Sequence, residues 1–380
     1  MRVFVIAGEA SGDKLGAALM AGLRKHVADV QFEGIGGDRM IAEGLQSLFP
    51  MDEISIMGIS EILSQYRALK ARIRQTADAV IAARPDVLIT IDLPEFSLRV
   101  AKLVKAQSEI RTVHYVAPTV WAWRPGRAKK MSAHIDQVLA LLPFEPPYME
   151  AAGMRCDFVG HPVVTDPVAA RNELAGFRRQ YDIGEAPLAL ILPGSRRSEI
   201  KRLLPIFSEV VSRLRSEHPR MQFVLPAAPN VATAVAEAAN TWPIKPILVN
   251  PAKDGLAVKR AAFAAADVAL AASGTVSLEL AAARTPMVIA YDMNWLSRQI
   301  IGRMLRVDTV TLVNLVSKTR AIPEFIGTNC RPGPIAQAVS QVLNAPDQQR
   351  AAMDLTMERL GKGGLPPGER AALAVLDGLK

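Results

Sequence analysis

Val3-Phe4-Val5-Ile6-Ala7 runs into Gly8-Glu9-Ala10-Ser11-Gly12-Asp13, and an apolar-periodic stretch follows from about Lys14 to Val27. An unbroken apolar run rich in β-branched residues reads as a strand buried on both faces, the habit of parallel sheets. The small-residue loop and the helix behind it complete a strand–loop–helix unit, the opening of a nucleotide-binding α/β domain. Gly34-Ile35-Gly36-Gly37 marks another loop after a strand. Asp86–Ile91 is a second buried strand, broken by Asp92-Leu93-Pro94. Arg111–Val116 is ended by Ala117-Pro118, and Gln137–Leu142 by Pro143. Strands alternating with helical stretches predict a mostly parallel sheet with helices on both faces.

The texture changes around Val159 to Pro167, where a polar stretch reads as a linker, and then the opening pattern recurs. Leu188–Leu192 is a strand, Pro193-Gly194-Ser195-Arg196 a loop, and a helical run continues through Val210. Met221–Leu225, Ile247–Val249, Val268–Leu270 and Pro286–Tyr291 read as further strands. The expected fold class is therefore α/β, with two doubly wound domains facing a cleft. The first covers residues 1–165 and the second 166–345. Residues 346–380 form a helical tail that no sequence rule assigns to either domain.

A length of 380 residues suits two domains, and a half-hydrophobic composition suits sizeable cores. Cys156 and Cys330 have no metal-ligand spacing and read as buried thiols of a reducing compartment. The first apolar run is too short for a signal peptide or a membrane span, which predicts a cytoplasmic protein. A net charge of +8 admits nucleic acid, a membrane surface or a phosphorylated substrate as partner. The basic residues are scattered and no nucleic-acid motif occurs, so nucleic acid is the weakest of the three.

Two loops carry phosphate chemistry. In Pro193–Glu199, Gly194 permits close backbone approach, and the helix that follows offers N–H groups at its positive end. Arg196 adds a forked, permanent cation, and Ser195 lies between them. A strand-to-helix turn with solvated arginines has the same appearance. Ala272-Ser273-Gly274-Thr275 is the second loop, where Ser273 and Thr275 can cap the helix or bind phosphate oxygens. Glu279 lies about one helical turn after Thr275 and could accept both hydroxyls of a ribose. Together these features point to a nucleotide diphosphate. There is no GxxxxGK[ST] and no GxGxxG, which disfavours a Walker-type nucleotide site and NAD.

The stretches Ala7–Asp13, Gly34–Gly37, Ala117–Trp123, Val159–Pro162, Leu192–Arg196 and Ala272–Thr275 resemble, in order, the signature stretches of the lipid-A-disaccharide synthase family. The resemblance spans roughly residues 7–330. It implies a GT-B fold and an inverting, metal-free transfer without a cofactor. The implied donor is UDP-2,3-diacylglucosamine and the acceptor 2,3-diacylglucosamine 1-phosphate. It further implies a homodimer, with a tail that crosses back or is exchanged, and a peripheral place on the cytoplasmic face of the inner membrane.

Such a reaction needs a base at the acceptor hydroxyl and positive charge at the departing UDP. Asp92, at the carboxyl edge of a strand, is the expected base; without the resemblance, a turn aspartate bonding its own backbone is the better reading. The family pattern resembles Ile-Asp-x-Pro-Asp-Phe, and this chain has Glu95 at the second acid. The resemblance also places functional residues at Glu9 and Ser11, which helix capping would explain equally well, and at Asn314 near the donor. His161, before Pro162, serves structure at least as readily as chemistry. Trp121, Trp123, Arg124 and Arg127, in a dense aromatic and basic segment, are candidates for acceptor binding or for core and solvated surface. Ile56, Met57, Ile59, Ile62, Leu63 and Tyr66, followed by basic residues, suit a membrane-interfacial patch or a helix packed on its own domain.

Two other function classes fit the same residues. A UDP-sugar 2-epimerase would release free hexosamine and need no acceptor. A non-catalytic nucleotide- or lipid-binding protein would be indifferent to loss of Asp92.

Overall fold

The computed structural model describes residues 1–55, 59–122, 126–293 and 307–380, and for residues 59–66 the backbone alone. Two units divide the chain: Met1–Thr165 with Leu360–Lys380, and Asp166–Arg359.

The first unit is built on seven strands: β1 (Arg2–Ala7), β2 (Gln31–Ile35), β3 (Gln46–Ser47), β4 (Val87–Ile91), β5 (Arg111–Tyr115), β6 (Gln137–Ala140) and β7 (Arg155–Phe158). Their order is β3-β2-β1-β4-β5-β6-β7, and all pairs are parallel. The chain leaves β1 toward one edge and returns to β4 on the other side. The β1–β4 seam is therefore the topological switch point, where open α/β sheets bind their ligands. Ala7 pairs with Ile91, so the two strands end level and the residues after them emerge side by side. Both faces of the sheet are covered: Val3, Val5, Ile89 and Ile91 pack on one side, Phe4, Ile6 and Leu88 on the other.

The first helix, Ala10–His26, starts before the Lys14 expected from periodicity. Ala, Ser and Gly are tolerated in a first turn, and the loop shrinks to Gly8-Glu9. Leu15, Leu19, Met20 and Leu23 give the helix its buried face. Asp13, also buried, turns away from its own helix. Its carboxylate accepts the backbone N–H groups of Gly37, Arg39 and Met40 at 2.8, 3.1 and 3.1 Å, capping the short Asp38–Ala42 helix.

The second unit repeats the plan with β8 (Leu188–Leu192), β9 (Gln222–Pro226), β10 (Ile247–Val249), β11 (Val268–Ala271), β12 (Met287–Tyr291) and β13 (Glu324–Ile326). The order β10-β9-β8-β11-β12-β13 is again all parallel, with the switch point between β8 and β11. Leu192 pairs with Ala271, so the Pro193 and Ala272 loops leave the sheet together.

The helical tail is divided between the units. Helix Asp347–Arg359 stays in the second, where the Gln349 side chain bonds the Met287 N–H and C=O at 2.7 and 2.9 Å. Helix Pro367–Gly378 lies in the first, against Ala10–His26. Glu369 pairs there with Lys25 and His26, and Asp377 pairs with Arg155. Both cysteines are buried, and neither forms a disulfide. Among the described residues no helix is long and apolar enough to cross a membrane.

Candidate active site

In the second unit the two loops at the switch point line one pocket of about 480 Å³. Gly194, Ser195 and Arg196 contribute one wall and Ser273, Gly274 and Thr275 another, with Glu279 behind them. Thr275 is the N-cap of helix Val276–Ala283, but its side chain makes no capping bond, and the residue lines the pocket. The Arg196 side chain is 76% exposed. A volume of this size suits a small cofactor-sized ligand.

Two details depart from the sequence expectation. The N–H groups of Ser195 and Arg196 are not open to a phosphate. The carboxylate of Glu199, one turn into the helix, already accepts both. Glu279 is held by Lys259, whose ammonium lies 2.6 Å from the Glu279 carboxylate and 5.0 Å from the Phe263 ring centre. Glu199 and Lys259 both line the pocket and escaped the sequence reading. A glutamate at the third position of a helix is an ordinary cap, and the lysine comes from a separate helix, Leu256–Ala265.

Asn314 is fully buried in the same unit. Its Oδ1 accepts the Ile322 N–H at 3.0 Å, and its Nδ2 donates to the Ile322 C=O at 2.9 Å and to Thr309 Oγ1 at 3.2 Å. The amide is committed to its own chain, and what it fixes is the 309–322 segment.

In the first unit Asp92 follows β4 at the switch point. It adopts φ +50° and Leu93 φ +48°, left-handed conformations that cost energy for non-glycine residues. Beside them, at the end of β5, Val116 has φ +84°. Three such residues at the ends of adjacent strands mark strain gathered where the sheet presents its site. The turn is held by the Asp92 N–H to the Tyr115 C=O at 2.9 Å and by Ser97 Oγ to the Asp92 C=O at 2.8 Å. Burial raises the Asp92 carboxyl above its ordinary value, against the opposing pull of the Leu93 N–H and the Arg127 guanidinium.

The Gly8-Glu9 loop approaches this turn: a Cβ on Gly8 would fall 2.4 Å from the end of the Leu93 side chain, at Cδ2. Glu9 is the N-cap of its helix without a side-chain capping bond, and Ser11 is exposed. Glu95 is exposed and pairs with Arg99 at 3.2 Å and with Arg127 at 3.8 Å. Behind Asp92, His114 is buried on β5, with Nδ1 2.8 Å from Thr90 Oγ1. Burial, and then Arg127, lowers its pKa to about 4, so its imidazole is neutral at pH 7.

Trp121 lies in the core of this unit, 7% exposed and edge-on to Phe144 at 5.1 Å. Its indole N–H donates to Glu145 Oε1 at 3.4 Å, and the other Glu145 oxygen accepts the Leu142 N–H at 3.0 Å. Burial pushes the Glu145 carboxyl up to about 7 against both bonds. A carboxyl raised in the folded state stabilises it fully below the unfolded value, and that stability is lost as pH rises toward 7. The loss is on the order of 3 kcal/mol for a shift of this size. Glu145→Gln is therefore expected to gain stability relative to wild type as pH rises from 5 to 8. Denaturant midpoints at both pH values check this; an unchanging difference would contradict a buried, raised carboxyl.

Trp123 and Arg124 lie outside the described residues, as do Ile56 and Met57. Ile59, Ile62, Leu63 and Tyr66 belong to helix Ile59–Ala83, their side chains outside the description. His161 accepts the Val163 N–H through Nδ1 at 3.2 Å, capping the Pro162–Val164 turn.

One switch point thus carries a strained, half-buried aspartate and the other a pair of small-residue loops. The profile of the lipid-A-disaccharide synthetase family matches residues 3–374. The chain belongs to that family. The lipid-A-disaccharide synthase of Ruegeria pomeroyi is 62% identical over 385 residues, covering all of this chain and 96% of that protein. That of Rhodospirillum centenum is 47% identical, covering 99% and 94%. Among solved structures, a Staphylococcus aureus protein, MnaA, in complex with UDP has a TM-score of 0.66 at 13% identity, covering 100% and 96%. The UDP-GlcNAc 2-epimerase of Neisseria meningitidis has a TM-score of 0.63 at 13% identity, covering 100% and 99%. At such identities the structural likeness establishes the fold alone: two parallel α/β sheets of the GT-B type.

Proposed function

We propose that this member of the family is an inverting glycosyltransferase that joins UDP-2,3-diacylglucosamine to 2,3-diacylglucosamine 1-phosphate. The second unit holds the donor and the first supplies the base. The observation that carries the reading is the convergence of Gly194–Arg196, Ser273–Thr275 and Glu279 on one pocket. Such a set offers cation and hydroxyl donors to a diphosphate and a carboxylate to a ribose diol.

In the transfer, the Asp92 carboxylate takes the proton of the acceptor's 6-hydroxyl while that oxygen attacks the anomeric carbon. The new C–O bond forms as the bond from the anomeric carbon to the β-phosphate oxygen breaks, and the electron pair leaves on that oxygen as UDP. Arg196 meets the growing charge on the diphosphate. Asn314 acts as a positioning residue, through the segment that its amide fixes. Glu9 and Ser11, which follow the Gly8 that approaches the base loop, assist there; Arg127 acts on the Asp92 charge and, with Arg124, receives the acceptor phosphate, and Trp123 its sugar face.

The test is UDP release from the donor, with and without acceptor, in EDTA. Acceptor-dependent release that survives the chelator is expected. Donor turnover without acceptor, yielding a hexosamine inverted at C2, would replace the reading with epimerisation, and loss of activity in EDTA would contradict a metal-free transfer.

The acyl chains of both substrates call for contact with a bilayer, and the segment from Ile56 to Tyr66 has the composition for it. The proposed localisation is peripheral, on the cytoplasmic face of the inner membrane, and the proposed assembly a homodimer. Flotation with anionic vesicles tests the first and light scattering the second. Protein that stays with the soluble fraction, or a monomer mass, would contradict them.

A further inference from the structure

Glu199 presents a physical puzzle: a carboxylate beside a pocket assigned to a diphosphate, where like charge opposes binding. Its side chain is only 9% exposed. One oxygen accepts the N–H groups of Ser195 and Arg196 at 3.1 and 3.2 Å. The other accepts Arg196 Nη1 at 3.0 Å and lies 3.5 Å from the Tyr291 hydroxyl. From another direction Asn230 Nδ2 donates to the Ser195 C=O at 2.9 Å. The chain enters this grip through Gly194 at φ +107°, where a Cβ would fall 2.5 Å from Glu199 Oε2. The loop is therefore bound on its N–H side and on its carbonyl side, and the Glu199 charge is met by the cation it holds.

We infer that Glu199 is a positioning residue for the donor. It fixes the Ser195–Arg196 backbone and anchors one edge of the Arg196 guanidinium. The remaining N–H groups of that planar fork are then oriented as a unit toward the diphosphate rather than free to rotate on an exposed stem. The phosphate contacts come from Arg196 and the Ser273–Thr275 hydroxyls, not from the two loop N–H groups that the carboxylate occupies. The inference rests on the reading of the pocket as a UDP site, and deepens it by naming what orients its cation.

Calorimetric titration with UDP tests it in wild type, Glu199→Gln, Arg196→Met and the double variant, with melting curves as a check on folding. Glu199→Gln keeps the shape but loses the charge and one acceptor. It is expected to weaken UDP by about tenfold, the scale of one charge-assisted hydrogen bond. The same change is expected to cost much less once Arg196 is Met, because two residues that act as one do not add. Should Glu199→Gln melt early, Glu199→Asp, which keeps the charge but shortens the reach, is expected to weaken UDP in the same Arg196-dependent way. Tighter UDP binding by Glu199→Gln would make Glu199 a competitor for the phosphate and overturn the inference. An undiminished loss in the Arg196→Met background would overturn it equally. Wild type that binds no UDP would remove the donor pocket itself, and the inference with it.

Discussion

Asp92→Asn is expected to lower kcat by about 10²- to 10⁴-fold, the usual contribution of a general base, with little change in donor KM. Asparagine preserves the size and the turn but cannot take a proton. The site is prepared for the role. The left-handed Asp92–Leu93 backbone lifts the carboxyl out at the strand end, and burial raises its pKa toward the working range. Activity therefore falls on the acid side as the carboxylate is protonated, with a midpoint above the ordinary aspartate value. Arg127 opposes that rise, so Arg127→Met is expected to move the acid limb to still higher pH. A pH–rate profile reads both effects. A limb that moves to lower pH in Arg127→Met, or activity retained in Asp92→Asn, would place the base elsewhere.

The second large effect is expected at Arg196. Arg196→Met removes the forked cation that meets charge on the leaving diphosphate. Loss of one such donor costs about 10²- to 10³-fold in turnover, and here donor KM rises as well because the same group binds the ground state. Arg196→Lys is expected to recover only part of this, since an ammonium keeps the charge but not the fork that Glu199 holds. Steady-state kinetics in donor concentration separates the two contributions. A variant that alters acceptor KM alone would move Arg196 out of the donor site.

The strand-end loops at both switch points were legible in the sequence for one reason. Each follows an uninterrupted apolar strand, β1, β4, β8 or β11, and such runs are buried on both faces of a parallel sheet. Where that condition fails, so does the reading. The edge strand β7 alternates charge with apolar side chains in Arg155-Cys156-Asp157-Phe158, and β13, Glu324-Phe325-Ile326, opens on a charge and is buried at none of its three residues. The Gly194 and Gly274 loops stood out by composition, but the Glu199 carboxylate across the loop N–H groups did not. The third helical position of Glu199 is enough to suggest a bond to the Arg196 N–H, but not its further hold on the Ser195 N–H and the Arg196 guanidinium. Trp121 shows the converse. An aromatic beside basic residues reads equally as ligand platform or core, and what decides is Glu145, from a distant part of the chain. Asn314 was placed near the donor by resemblance, while its structural role, closing the 314–322 turn, depends on a fold no local pattern encodes.

The division of labour between the two units is tested most directly by the UDP dissociation constant of Asp92→Asn, measured beside its turnover. UDP affinity equal to wild type is expected in a protein that has lost transfer. UDP affinity that falls together with turnover would mean that Asp92 serves the donor, and would contradict its assignment as the base.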